Sequence, residues 1–266
     1  MRKVIPILSL LIVFTVKSQG TIKESLVIES KILKKNVEYS MYLPYDYEQS
    51  TRSYPILYLL HGFTDDESGW TQYGEVKKIA DSMIGDINVT DMIIAMPDGG
   101  VSLYVNSYDG KVQYEDFFIK EFMPTVEAEY RVRAQKRFRA VAGLSMGGHG
   151  TLMYAIKYPE LFAAAAPLSA AVIKSEDLVK IPQGNYDGYH GPVYGKGNVG
   201  EGRLTDHYKA NSTLFLVEST DPEKLKTVRW YIDCGDDDFL IKGNMALHAL
   251  MFDKGIPHEF RVRDGA

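Results

Sequence analysis

Between positions 21 and 43, apolar and polar residues alternate, with Ile22, Val27 and Ile28 followed by Val37, Tyr39, Met41 and Leu43. A period of two puts such residues on one face of a strand, so the segment predicts antiparallel strands with one solvated face. Farther along, the pattern changes to short unbroken apolar runs at 55–60, 92–96, 138–142, 163–168 and 228–232. Runs of that length suit strands buried on both faces of a parallel sheet. A last strand is expected from His258 through Phe260 and Val262. The intervening segments 76–84, 114–130, 147–158 and 241–254 carry apolar residues at helical spacing. Strands that alternate with helices predict an α/β domain: a mostly parallel central sheet, helices on both faces and antiparallel strands at the N-terminus. Such sheets bind ligands at the carboxyl ends of their strands.

Two segments stand outside this alternation. Met1-Arg2-Lys3 is basic, 4–16 is apolar, and Ser18 or Gly20 supplies a small residue for cleavage. That layout predicts a secretory signal peptide over 1–20, and hence a secreted or periplasmic protein with no stable membrane insertion after its removal. The apolar run, broken by Pro6 and Ser9, is short for a bilayer span. The interval 180–203 is rich in Gly and Tyr, including Tyr186, Tyr189 and Tyr194. It is too long for an ordinary connection and is expected to be an insertion over the active face. The length of 266 residues then leaves one domain over 21–266. A net charge of −5 gives no electrostatic footprint for nucleic acid, and a single cysteine excludes an internal disulfide framework or a multi-cysteine zinc site.

The chemistry concentrates in three places. Gly143-Leu144-Ser145-Met146-Gly147 is a G-x-S-x-G motif between an expected strand and an expected helix, the setting of a nucleophile elbow. Glycines flank the serine because a strained turn leaves no room for side chains there. Leu59-Leu60-His61-Gly62-Phe63 closes the first buried strand. In such an architecture the loop after this strand and the residue after the nucleophile donate the oxyanion-hole N–H groups, here those of Phe63 and Met146. His61 precedes the serine, whereas the base of these enzymes comes last, so it is expected to fix the loop.

The third place is Asp233-Cys234-Gly235-Asp236-Asp237-Asp238. A carboxylate at the end of this strand would orient the catalytic histidine. Spacing from Gly235 favours Asp238, with Asp237 the alternative. Asp233 lies inside the strand and reads as structural, and Cys234 as a small buried residue. The aspartate run lacks the oxygen spacing of a calcium loop, and neither metal nor cofactor enters the expected chemistry. The base should follow Asp238 in the chain. His248, among Met245, Leu247 and Met251, reads as a packing residue, and His258 stands at the wrong end of its strand.

Together with Gly69-Trp70 and the acidic loop before Phe239-Leu240, these motifs resemble the esterase D-like α/β hydrolases, and within them the bacterial feruloyl and acetyl xylan esterases of carbohydrate esterase family 1. The likeness runs from about Ile22 to Ala266. It implies Ser145 as nucleophile, Asp238 as triad acid, and Phe63 and Met146 as oxyanion donors. It also implies that the segment 260–266 leads directly into the catalytic histidine, so the domain is expected to be truncated at its C-terminus, without the base and the terminal helix. The implied function is a secreted serine carboxylesterase acting on acylated oligo- or polysaccharide. An S-formylglutathione hydrolase, a siderophore or short-chain acyl esterase, and an inactive secreted binding module on a hydrolase scaffold are the alternatives.

Overall fold

The alternating N-terminal segment forms two antiparallel strands, β1 (Thr21–Ser30) and β2 (Lys35–Leu43), in the computed structural model, which describes residues 19–85 and 89–265. Of the expected leader, 1–18 lies outside the described residues, as does Ala266. The apolar runs become β3 (Ile56–Leu60), β4 (Ile93–Pro97), β5 (Arg139–Leu144), β6 (Ala164–Leu168) and β7 (Arg229–Gly235), followed by β8 (His258–Arg263). They assemble into one eight-stranded sheet of order β1-β2-β4-β3-β5-β6-β7-β8. Its β1–β2 and β2–β4 pairs are antiparallel and the rest are parallel. The expected α/β hydrolase architecture is what the chain adopts.

The order decides where a ligand can sit. From β3 the chain moves to β4 on one side, then crosses to β5 on the other and continues outward to β8. The reversal opens a crevice at the carboxyl ends of β3 and β5. The loops at 61–63 and 145–146 leave the sheet at those ends.

Helices cover both faces. On one face, α2 (Met146–Lys157) buries every residue from Met146 to Ile156, as a helix apolar all round must. The larger core, with Tyr58, Val141, Trp230 and Ile232, lies on this side. On the other face, α1 (Val76–Gly85) and Trp70 pack over Leu59, Ile94, Met96 and Ala142. The helix expected at 114–130 forms with a departure: Phe118–Phe122 is a π-helical turn between Tyr114–Phe117 and Met123–Glu129. Pro124 cannot donate to the carbonyl four residues back, and a wider turn brings residues five apart onto one line. Phe117 and Phe122 are such a pair, and both are fully buried. Two further helices complete the frame near the site, α3 (Thr213–Ser219) and α4 (Ile241–Asp253).

Candidate active site

Ser145 occupies the one-residue junction between β5 and α2, with φ +57° and ψ −109°. An L-residue holds such a conformation only when its surroundings fix it. Its N–H donates to the Leu168 carbonyl (2.9 Å), while its own carbonyl accepts from the N–H groups of His149 (3.0 Å) and Ala171 (2.9 Å). The flanking glycines answer a steric demand. A Cβ on Gly143 would lie 2.5 Å from the Gly147 carbonyl, and one on Gly147 would lie 2.3 Å from the Leu60 oxygen. The first turn of α2 leaves backbone N–H groups without helical partners and concentrates positive potential beside Ser145.

The loop after β3 runs against this turn. A Cβ built on Gly62 would stand 3.9 Å from that of Ser145. His61 is buried, and its Nε2 accepts the Gly99 N–H at 2.7 Å. With the lone pair on Nε2, the ring carries its proton on Nδ1, which faces the Gly62 carbonyl at 2.7 Å. His61 therefore fixes the loop, as the chain order suggested, and has no nitrogen left for proton transfer. Trp70 donates to the Leu60 carbonyl (3.1 Å) and Tyr104 to that of His61 (3.2 Å), which holds the strand end from both sides. The Phe63 ring packs against Tyr189 at 4.6 Å.

At the end of β7, Asp236 and Asp237 donate their N–H groups to the carbonyls of Arg263 and Gly265, and Gly265 N–H returns a bond to the Asp236 carboxylate. The end of β8 is thereby tied to the acidic loop. Asp238 accepts from Leu240 N–H at 2.8 Å and lies at the same edge of the sheet as Ser145, with no hydrogen bond joining the two. Asp233 accepts from Tyr231 and Arg263 within the strands, a structural role. Cys234 is buried, which pushes its thiol up and leaves it unreactive. Among the described residues no cluster of three or more His, Cys, Asp or Glu converges as a metal site.

Among the described residues no histidine hydrogen-bonds to the Ser145 or Asp238 side chain. His248 and His258 pair with each other, Nδ1 to Nε2 at 2.7 Å, at the amino end of β8 and away from the carboxyl edge. His149 is buried behind the elbow, and burial lowers its pKa. Its Nδ1 lies 3.0 Å from the Leu103 carbonyl and its Nε2 lies 3.2 Å from the Asn211 carbonyl and 3.4 Å from the Tyr194 hydroxyl, so the single N–H of the neutral ring serves one of two buried carbonyls. His207 stacks edge-on with Tyr108, and His190 belongs to the 180–203 insertion.

That insertion does reach the site, but not with its tyrosines presented as a platform. Tyr186 and Tyr194 are buried, with the Arg203 guanidinium 4.1 Å from the Tyr186 ring centre, and only Tyr189 meets the loop at Phe63. Leu103 and Tyr104, both with positive φ, also shape this region, and no local sequence signal marked them. A groove of about 820 Å³ lies elsewhere, over Leu57, Ala140, Ala142, Ala164 and Ala166, and holds none of the candidate residues.

Comparison with known proteins places this geometry in context. Residues 30–265 match the Esterase family model. An esterase of Mycobacterium tuberculosis (strain H37Rv) is 34% identical over 235 residues, covering 82% of this chain and 49% of that protein. An endo-1,4-beta-xylanase/feruloyl esterase of Xylanibacter ruminicola is 33% identical over 146 residues, 52% of this chain and 20% of that one. The chain thus spans half or less of the length of these relatives. A solved ferulic acid esterase superposes with a TM-score of 0.80 at 32% identity, covering 93% of this chain and 90% of its own.

Proposed function

The chain belongs to the Esterase family, and on that membership we propose that it is an exported serine carboxylesterase that removes feruloyl or acetyl groups from plant xylan. The observation that carries this reading is Ser145, held at φ +57° between β5 and α2 with Gly62 beside it. In the first step Ser145 Oγ attacks the ester carbonyl and its proton passes to the base, while the N–H groups of Phe63 and Met146 receive the oxyanion. Collapse of the tetrahedral intermediate returns that proton to the departing sugar hydroxyl and leaves acyl-Ser145. Water then repeats the sequence and releases ferulate or acetate.

Asp238 is the acid that orients the base in this reading, with Asp237 the alternative. The base in this reading is a histidine, and the hydrogen bonds between Gly265 and both Asp236 and Asp237 hold the end of β8 against the acidic loop that carries Asp238. The feruloyl and xylan assignments draw on what the Xylanibacter ruminicola relative and the ferulic acid esterase are named for. Export draws on the leader expected over 1–20 from its basic start and apolar run. Among the described residues no helix is long and apolar enough to cross a membrane.

The protein, assayed beside Ser145→Ala, tests the proposal with feruloylated and acetylated xylo-oligosaccharides and S-formylglutathione. Ferulate or acetate release is expected, with fluorophosphonate labelling at Ser145 and a loss of about 10⁶-fold in turnover in the variant. Turnover of S-formylglutathione alone overturns the polysaccharide assignment. Failure to label Ser145 at all favours a binding module on a hydrolase scaffold.

A further inference from the structure

β8 ends the sheet on one side, and among the described residues no strand pairs with its outer edge. The Arg263 carbonyl accepts from Asp236 N–H, so Arg263 turns its backbone polar groups toward β7. Alternation gives Glu259 and Arg261 the same direction and points the N–H and C=O groups of His258, Phe260 and Val262 outward. Such a row is a template for another strand unless the chain blunts it. The opposite edge is blunted, because the register of β1 shifts between Lys23 and Leu26. β8 instead keeps one register with β7 from His258 to Arg263.

The side chains decide what can pair there. Glu259, Arg261 and Arg263 share one face of β8 and are exposed, while His258, Phe260 and Val262 share the face that carries α4. When β8 meets a second copy of itself antiparallel, outward groups must face outward groups, which leaves few registers. A slip of two residues one way sets Glu259 against Glu259, and the other way Arg261 against Arg261. Like charges directly opposite are destabilising. The register centred on Phe260 sets Glu259 against Arg261 twice, Phe260 against Phe260 and His258 against Val262. It satisfies the outward groups with about six backbone hydrogen bonds. The Glu259–Arg261 pair already present along the strand (2.6 Å) then becomes one side of a ring of four alternating charges.

The helix beside this edge points the same way. Ile241, Met245, His248 and Phe252 form one stripe of α4 at helical spacing. His248 fixes its direction, because its ring stacks on Phe260 with centres 4.6 Å apart. The other flank of α4 faces α3, where Lys254 meets Glu218. Phe252 is 73% exposed and Met245 54%, large apolar side chains on the flank toward the edge. Pairing of the two β8 strands would place both α4 helices on the same face of a continued sheet. A helix seated over two neighbouring strands lies about 5 Å from a seam beside them, so the two axes would stand about 10 Å apart, the spacing of packed helices. We propose that the chain forms a two-fold symmetric homodimer in which β8 pairs antiparallel with β8 of a second copy about Phe260, with the α4 stripes packed across the seam. None of the residues assigned to the reaction takes part, so the dimer stands or fails apart from the esterase reading.

Sedimentation velocity over a concentration series tests the pairing, and the parent is expected to sediment as a dimer. Glu259→Arg sets arginine against arginine and Arg261→Glu sets glutamate against glutamate, so each alone is expected to weaken self-association by about 100-fold. Both side chains are exposed, and the urea midpoint of the monomer is expected to hold. Mixed in equal amounts, the two variants are complementary at both positions and are expected to dimerise with each other, as is the double variant with itself. Val262→Pro removes an N–H that points outward, leaves the ladder to β7 whole and is expected to give monomers. A parent that stays monomeric at every concentration overturns the proposal. So does a dimer that the single charge variants leave intact, or one that their mixture fails to restore, since either result places the contact elsewhere.

Discussion

Gly147 sets two effects of one residue against each other. Inside a helix, glycine is less favourable than alanine by up to about 1 kcal/mol, so Gly147→Ala should stabilise α2 by propensity alone. The new methyl, however, would lie 2.3 Å from the Leu60 oxygen and 2.7 Å from that of His61, both of them backbone. Forcing that backbone aside costs roughly 1–3 kcal/mol and moves the loop that ends in Phe63, so the clash wins. Gly147→Ala is expected to lower the urea midpoint and to reduce esterase turnover at least 100-fold. Gly184→Ala, where nothing stands within 4 Å of the added Cβ, should leave both unchanged. A Gly147→Ala protein as stable and active as its parent would show that the loop gives way freely. The motif was legible in the sequence because this steric demand leaves glycines at fixed offsets from Ser145. The buried packing behind the elbow was not, because Leu103, Tyr194 and Asn211 meet His149 only through the fold and none stands in a recurring local pattern.

The same contrast holds for whole elements. Strands β3 to β7 announced themselves as apolar runs because each is buried on at least one face by neighbours along its full length. The interval 180–203 has no such period, and only the structure shows it to be a string of short helical turns at Gln183–Asn185, Tyr186–His190, Gly191–Tyr194 and Gly200–Arg203. What orders it is Arg203, a buried guanidinium whose hydrogen bonds go to the carbonyls of Leu178 (2.8 Å), Ile181 (2.7 Å) and Asn198 (3.1 Å) and to Gln183 Oε1 (2.9 Å). Its rigid fork serves acceptors in several directions, which a lysine's single ammonium cannot. Arg203→Lys should therefore leave buried carbonyls unsatisfied, at about 1–3 kcal/mol each, and loosen the insertion before the sheet. Hydrogen exchange is expected to accelerate over 183–203 while β3 and β5 stay protected. Uniform protection in the variant would show that the tyrosine packing alone holds the insertion.

At the scale of the molecule, sequence periodicity supplied the alternation of strands and helices but not the strand order, since the reversal at β3 depends on pairings between distant segments. That reversal builds the insertion and the loop after β4 over the elbow, and in doing so buries imidazoles. Burial lowers His149, His190 and His207, with His190 reaching about 4 from an ordinary value of 6.5. Between those two pH values the unfolded chain takes up a proton at His190 that the folded chain refuses, so stability falls as pH falls. The contribution is nil above about pH 7 and grows to on the order of 3 kcal/mol near pH 4 for His190 alone. Carboxylates held low in the fold, such as Asp98 and Asp187, act in the same direction but only at lower pH, as they become protonated. Glu67, raised by burial, opposes the trend. Urea midpoints measured from pH 7 to pH 5 should therefore drop steadily, and His190→Gln, which cannot titrate, should flatten the slope. Equal slopes in parent and variant would mean that the insertion opens on protonation at no cost to the rest of the fold. The acid weakness would then lie with His149, which is fixed under the elbow by Leu103 and Tyr194.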